Sequence, residues 1–227
     1  MRFIRDTFLA TKHGGERVCV TQPGGPGFRQ LDHAETEIMK HQRPGLTFSH
    51  IGVFVTDIER QARFYKTVLE FTETDRGELT GPNGPMKLVF LSRDPDEHHQ
   101  IVFISGRPAD VPFNVINQIS LKADSIETLQ RFYQRLQGAE VTEISPVTHG
   151  NALSVYCRDP EGNRLELYFD TPWYVSQPCR VPARLELPAD ELMAWAEAHA
   201  RTLPGFRPRS EWRREMAERM GIEDRPA

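Results

Sequence analysis

The sequence predicts an α+β fold in which two tandem βαβββ modules form an open barrel around a metal site. One observation is an internal sequence repeat. The segment LTFSHIGVFVTD at residues 46–57 is similar to FNVINQISLKAD at residues 113–124. The other is that side chains able to bind a metal stand at equivalent places of the two copies. The chain then divides into an N-terminal arm at residues 1–45, modules at 46–110 and 113–171 within a domain at 46–171, and a C-terminal segment with helices at 172–227.

The elements of the two modules follow in the same order along the chain. HIGVFV is a β-branched strand, DIERQARFYKTVL has apolar residues at helical spacing, and MKLVFLS and HQIVFIS are two further strands. RGELTGPNGP, which lies before them, is interpreted as a loop with turns. A gapless shift of 118 − 50 = 68 residues aligns Arg63-Phe64-Tyr65 with Arg131-Phe132-Tyr133, and AEVTEIS, NALSVYCRD and GNRLELYFD complete the second module.

Outside the modules, the pattern predicts less regular structure. In the arm, a short strand at residues 17–21 and a polar helix at residues 34–41 are predicted. After residue 171, PADELMAWAEAHARTL and RSEWRREMAERM are predicted to be helices that dock onto the barrel or contact a second subunit. Open half-barrels and amphipathic tails lead us to expect a homo-oligomer.

Composition and charge exclude several classes of partner. The formal net charge is −4 with 26% charged residues, which gives no electrostatic reason to expect nucleic acid or an anionic membrane as a partner. There is no apolar run long enough to span a bilayer and no apolar signal core in the first residues. We therefore expect a cytoplasmic protein.

The repeat predicts a metal site where equivalent strands of the modules converge. His50 and Gln118 stand at the two first strands, and Glu166 stands in the last strand of the second module. The same shift applied to Glu166 leads to the adjacent His98 and His99, of which only one would face inward from a strand. Imidazole nitrogens and carboxamide or carboxylate oxygens suit a borderline divalent metal.

A second set of candidates lies in VTHGNALSVYCRDPEGNRLE, residues 147–166. The turn Asp159-Pro160-Glu161-Gly162 predicts a hairpin in which Tyr156 and Glu166 lie on neighbouring strands, a few residues after His149. With these residues, the repeat resembles the βαβββ module of the vicinal oxygen chelate superfamily, which includes glyoxalases, bleomycin resistance proteins and extradiol dioxygenases. The segment itself resembles the signature of type I extradiol ring-cleaving dioxygenases.

This resemblance implies an Fe(II)-dependent dioxygenase that cleaves a catechol-like aromatic ring with dioxygen. His50 and Glu166 match two metal ligands, His99 matches an acid–base residue, and His149 and Tyr156 match residues that hydrogen-bond substrate oxygens. Gln118 stands where that family has its second ligand histidine, so the metal set becomes His50, Gln118 and Glu166.

Two alternatives stay open within the same superfamily. Its glyoxalases use a glutamine and a histidine from the first strands, so Gln118 would ligate Mn(II), Ni(II), Co(II) or Zn(II) in a lyase or isomerase without dioxygen chemistry, with His98 or His99 as a fourth ligand. In a non-catalytic ligand-binding protein of the same fold, Gln118 would line the cavity without binding metal.

Overall fold

A computed structural model describes residues 46–81, 84–108, 110 and 114–222. The N-terminal arm, with its predicted strand and helix, lies outside the described residues. Within them, no helix has the length and apolar character needed to cross a membrane.

The first module has the predicted βαβββ order. It comprises β1 (Ile51–Val55), α1 (Ile58–Thr67), β2 (Thr72–Gly81), β3 (Gly84–Ser92) and β4 (Ile101–Ser105). The sheet order is β1-β4-β3-β2, with β1 parallel to β4 and the other pairs antiparallel. Asp57 caps α1 by accepting a hydrogen bond from the Arg60 amide at 3.0 Å. The helix buries its apolar face against the sheet.

The second module repeats this order. It comprises β5 (Ile119–Lys122), α2 (Ile126–Gln137), β6 (Thr142–Thr148), β7 (Ala152–Arg158) and β8 (Arg164–Asp170). With the short β10 (Val181–Pro182), the sheet order is β10-β6-β7-β8-β5, and β5 is parallel to β8. Ser125 caps α2 through its hydroxyl oxygen. The predicted α+β fold with two βαβββ modules is thus confirmed.

The interpretation of RGELTGPNGP as a loop is wrong for most of its length. The register of β2 and β3 runs from Thr72↔Ser92 to Gly81↔Gly84, so residues 76–81 form the outer half of a long hairpin. The strand is polar and has few β-branched residues, so its sequence carries no strand pattern. The strand forms because it pairs with the apolar strand β3.

The gapless shift between modules fails at the last strand. In the first module Ile51 pairs with Ile101, 50 residues later, whereas in the second Ile119 pairs with Leu165, 46 residues later. The residue of the first module equivalent to Glu166 is therefore the buried Val102, and the prediction of His98 or His99 there is wrong. The first module has four extra residues, some of them in the loop that connects β3 and β4.

The modules share one hydrophobic core, and side-chain hydrogen bonds join them. The Glu161 carboxylate accepts hydrogen bonds from the Thr56 and Asp57 amides at 3.0 and 2.7 Å, and the Gln61 amide donates to Asp159 at 2.5 Å. Among the described strands, β1 and β5 do not pair with each other. The barrel is therefore open between these two edges.

The C-terminal segment packs against the second module. It comprises β9 (Trp173–Tyr174), α3 (Ala189–Ala200), β11 (Arg207–Pro208) and α4 (Arg209–Met220), and β9 pairs with β11. Leu192, Ala196 and Ala200 of α3 enter the core. The Gln130 amide of α2 donates to the Leu185 and Leu187 carbonyls at 2.9 and 2.7 Å. These hydrogen bonds hold the segment that precedes α3 against the second module.

Candidate active site

One face of the second sheet is polar, and its position follows from strand alternation. Leu153, Val155, Leu165 and Leu167 face the core, so the residues between them face the opposite side. Ser120, Glu166 and Tyr156 are neighbours across three strands, because Ser120 pairs with Glu166 and Glu166 pairs with Tyr156. Ser154 and Gln118 extend this row.

The carboxylate of Glu166 is at the centre of the polar face, and only 7% of the residue is exposed. Its Oε2 accepts hydrogen bonds from Gln118 Nε2 at 2.8 Å and from Ser120 Oγ at 2.7 Å. Its Oε1 accepts from Ser154 Oγ at 2.9 Å and from the Tyr156 hydroxyl at 2.7 Å. Four donors satisfy the acceptor capacity of a carboxylate, which offsets the cost of burying its charge.

His149 extends this network toward the C-terminal segment. Its Nε2 lies 3.0 Å from the Tyr156 hydroxyl oxygen and 3.7 Å from Glu166 Oε1, and its Nδ1 lies 2.7 Å from the Cys179 carbonyl oxygen. The Gln177 amide donates to the His149 carbonyl at 2.8 Å. The segment after β9 therefore fixes the position of the imidazole.

The number of protons in the row of contacts from Cys179 through His149 and Tyr156 to Glu166 follows from the groups at its two ends. The Cys179 carbonyl and the Glu166 carboxylate both accept, so the two imidazole nitrogens and the Tyr156 hydroxyl must supply three protons if all three contacts are hydrogen bonds. A neutral imidazole and a phenol supply two. With a neutral imidazole, one of the three contacts therefore lacks a proton, and the phenol hydrogen can point to either His149 Nε2 or Glu166 Oε1.

Tyr156 keeps its proton over a wide pH range. Burial, followed by the hydrogen bond to Glu166 and the charge of that carboxylate, raises the pKa of Tyr156 to about 12. The phenol is therefore a hydrogen-bond donor at neutral pH.

The three other predicted site histidines form a separate cluster beside the first module. The ring centroids of His50 and His99 are 4.2 Å apart, and both His98 and His99 contact the ring of Phe90. His98 and His99 lie in the loop before β4, so the prediction that strand alternation selects one of them is wrong. Burial, followed by the charges of His50 and His98, lowers the pKa of His99.

The predicted metal ligands are therefore divided between two places. Gln118 contacts Glu166, whereas His50 is exposed and its ring contacts that of His99 at a tilted angle. In the described part of the chain, His149 is the imidazole within 4 Å of the Glu166 carboxylate. Across the same residues, no group of three or more His, Cys, Asp and Glu side chains is placed to hold a metal ion.

These observations separate the two predicted ligand sets. The four-ligand set of the glyoxalase type needs His98 or His99 at a place that Val102 occupies, so these residues do not fit it. The set of His50, Gln118 and Glu166 contains one imidazole, one carboxamide and one carboxylate, and two of its three side chains are in contact. This donor chemistry fits a borderline divalent cation such as Fe(II) or Mn(II).

Sequence reasoning missed four residues of this face. Ser120 and Ser154 lie two positions from Gln118 and Tyr156, so alternation along each strand would have found them. Arg164 and Arg180 have guanidinium carbons 4.3 and 5.6 Å from the centroid of the Tyr156 ring. Alternation along β8 would also have placed Arg164 on the same face as Glu166. Arg180 lies in a later segment of the chain whose sequence has no strand or helix pattern.

A cavity of about 620 Å³ lies at the open edge between the modules. Gln118 and Ser120 form part of its wall, together with apolar side chains such as Phe71 and Phe132. Its lining does not include Glu166, Tyr156 or His149. A smaller cavity of about 290 Å³ is lined by Arg107 and Arg164. The polar face is thus bordered by space on the side where the two modules meet.

Comparison with known proteins identifies the family. Residues 47–167 match the model of the Glyoxalase/Bleomycin resistance protein/Dioxygenase superfamily, which is more than half of the chain. The protein therefore belongs to this superfamily, and the resemblance noted in the sequence is confirmed.

Individual relatives are distant. Biphenyl-2,3-diol 1,2-dioxygenase 2 from Rhodococcus globerulus is 26% identical over 127 residues, which are 54% of this chain and 62% of that protein. The match thus spans less than two thirds of the relative.

Solved structures that this chain resembles include the following two. The fosfomycin resistance protein FosX from Mesorhizobium loti has a TM-score of 0.43 at 20% identity, covering 57% of this chain and 94% of that one. Lactoylglutathione lyase from Agrobacterium tumefaciens has a TM-score of 0.40 at 17% identity, covering 56% and 96%. TM-scores this low say nothing about the substrate of this protein.

Proposed function

We propose that the protein is a metal-dependent extradiol-type dioxygenase that cleaves the ring of a catechol-like aromatic compound. The observation that carries the proposal is the hydrogen-bonded chain from His149 through Tyr156 to Glu166. A distant relative is named for the dioxygenation of an aromatic vicinal diol, which supports the substrate class.

In this proposal His50, Gln118 and Glu166 would hold Fe(II). When bound, this metal supplies Lewis acidity toward the two oxygens of the diol and the redox chemistry of dioxygen. Gln118 is a weaker ligand than an imidazole, so we expect weak retention of iron during purification. The predicted cytoplasmic location and homo-oligomer stay predictions.

Side chains from both places would handle the protons. Tyr156, protonated because its pKa is about 12, donates a hydrogen bond to a substrate oxygen beside Glu166. His149, whose Nε2 lies 3.0 Å from the Tyr156 oxygen, orients this phenol. His99, in the separate histidine cluster and with a lowered pKa that favours the neutral imidazole, accepts a proton from a diol hydroxyl and returns it to the ring-cleaved product.

One observation favours a second candidate, a ligand-binding protein without catalysis. Glu166 has a donor for each acceptor position without any metal, and the Gln118 amide nitrogen is directed at it. On such a face every acceptor position of the carboxylate already has a donor. A neutral diol would bind by replacing some of these internal hydrogen bonds with hydrogen bonds to its own hydroxyl groups. The two candidates differ in whether the purified protein takes up iron and consumes oxygen.

Oxygen consumption tests the proposal directly. The protein is loaded with Fe(II) without oxygen and mixed with a panel of catechols, and both oxygen uptake and the yellow ring-fission product are recorded. We expect uptake with at least one catechol and its loss in Glu166→Gln. Tyr168→Phe, on the same strand and outside the network, is the matched control. No uptake with any catechol in iron-loaded protein contradicts the proposal and leaves the ligand-binding protein.

A further inference from the structure

Two arginines lie against the ring of Tyr156 at the border of the polar face. Arg164 precedes Glu166 by two residues on β8, so both side chains project from the same face. Arg180 comes from the segment just before β10. Their guanidinium carbons lie 4.3 and 5.6 Å from the ring centroid, within the range of a cation–π contact.

These two arginines differ from their neighbours in charge pairing. Arg158, opposite Arg164 on β7, pairs with Glu143 at 2.9 Å, and Lys122 on β5 pairs with Asp170 at 2.9 Å. In the described part of the chain, neither Arg164 nor Arg180 has a carboxylate within 4 Å. The polar contact of Arg180 is with Ser145 Oγ at 3.5 Å. Among the described residues, the two arginines thus bring positive charge to the Tyr156 ring without an ion-pair partner of their own.

Their N–H groups remain available to a ligand. A guanidinium stacked on an aromatic ring uses its face, while the N–H donors project from its edge in the fork that suits a carboxylate. Residues two apart on a strand are separated by roughly 7 Å, about the span of a substituted benzene ring. A diol held at Glu166 would thus carry a substituent to the Arg164 guanidinium.

We propose that the ligand of this site is an aromatic vicinal diol with a carboxylate substituent, and that Arg164 and Arg180 bind this carboxylate. The inference rests on the proposed function for the diol end of the ligand. It adds the substituent, which the superfamily relationship leaves open. An anionic ligand also complements the positive charge that the two arginines bring to the border of the polar face.

Binding, measured separately from turnover, tests this proposal. The dissociation constants of 2,3- and 3,4-dihydroxybenzoate, their methyl esters and catechol are measured by calorimetry, without oxygen and at low salt. We expect the preferred acid to bind wild-type protein at least about tenfold more tightly than its ester. Arg164→Gln and Arg180→Gln should each remove most of that preference. Arg158→Gln, which alters an arginine already paired with Glu143, should retain it.

The outcomes separate this proposal from the dioxygenase. Preference for the acid without oxygen uptake upholds the carboxylate site and contradicts the dioxygenase. Ring cleavage of catechol and esters as readily as acids upholds the dioxygenase and contradicts the carboxylate site. An equal preference in wild type, Arg164→Gln and Arg180→Gln, or no binding of either acid, also overturns the proposal.

Discussion

At the scale of single residues, Gln118 explains the difference between the two copies of the repeat. Its counterpart His50 is exposed and contacts the ring of His99, whereas Gln118 donates its amide hydrogen to Glu166. A glutamine amide donates at every pH, so it satisfies a buried carboxylate without taking up a proton. The glutamine is thus part of the polar face rather than a defective copy of His50.

Removal of the Tyr156 hydroxyl should affect chemistry far more than folding. Tyr156→Phe breaks the contact between His149 and Glu166 and leaves the packed ring in place. We expect kcat for ring cleavage to fall by about 10²-fold, the usual contribution of a positioned proton donor. Steady-state oxygen uptake measures it, with Tyr168→Phe as the control. Equal kcat in Tyr156→Phe and wild type would exclude Tyr156 from the chemistry.

The pKa of Tyr156 should depend on Glu166. Burial is the main cause of its value of about 12, and the hydrogen bond and charge of Glu166 add to it. In Glu166→Gln the charge disappears while the amide oxygen can still accept the hydrogen bond, so the pKa should fall but remain above 10, its ordinary value. Tyrosinate absorbance measures the change when the signal of the corresponding Tyr156→Phe variant is subtracted. An unchanged pKa would show that the charge of Glu166 does not contribute to it.

At the scale of elements, the β7–β8 hairpin could be predicted and the β3–β4 connection could not. The Asp-Pro-Glu-Gly turn is local, since Asp159 accepts hydrogen bonds from the Glu161 and Asn163 amides and Gly162 has a φ of +79°. It therefore fixes the pairing of Tyr156 with Glu166. The register of β4 depends instead on extra residues in the first module, and a gapless repeat cannot show them.

The turn before β7 is a second element that supports the site. Gly150 has a φ of +78°, and a Cβ there would lie 2.4 Å from Val175 Cγ2 and 2.9 Å from Leu203 Cδ1. It follows His149 directly, and its carbonyl accepts a hydrogen bond from Trp173 Nε1 at 2.6 Å. A side chain at this position would separate His149 from the segment that holds it.

Gly150→Ala should therefore lower both stability and activity. We expect a loss of about 3 kcal/mol in the free energy of unfolding, from strain and overpacking together. Gly162→Ala is the matched control, because its φ is +79° with nothing within 4 Å of the added Cβ, and it should lose about 1 kcal/mol. Urea denaturation measures the free energy of unfolding of the two variants. Similar losses in the two variants would mean that contact with Val175 and Leu203 is unimportant.

At the scale of the whole molecule, the sequence could predict the two modules and four of the residues of the polar face. Gln118, His149, Tyr156 and Glu166 do come together, because three of them lie in one hairpin region and β5 pairs directly with β8. The position of His50 relative to Glu166 could not be predicted, because β1 and β5 belong to different sheets and no strand register relates them.

The central claim is that donors from both modules hold one catalytic metal. Anaerobic titration with Fe(II), followed by calorimetry, tests it most directly in wild type, His50→Ala, Glu166→Gln and the control His98→Ala. The account predicts one ion per chain, affinity reduced at least about tenfold by each of the first two substitutions, and unchanged affinity in His98→Ala. Equal affinity in wild type and His50→Ala, or no binding by the wild type, would contradict it.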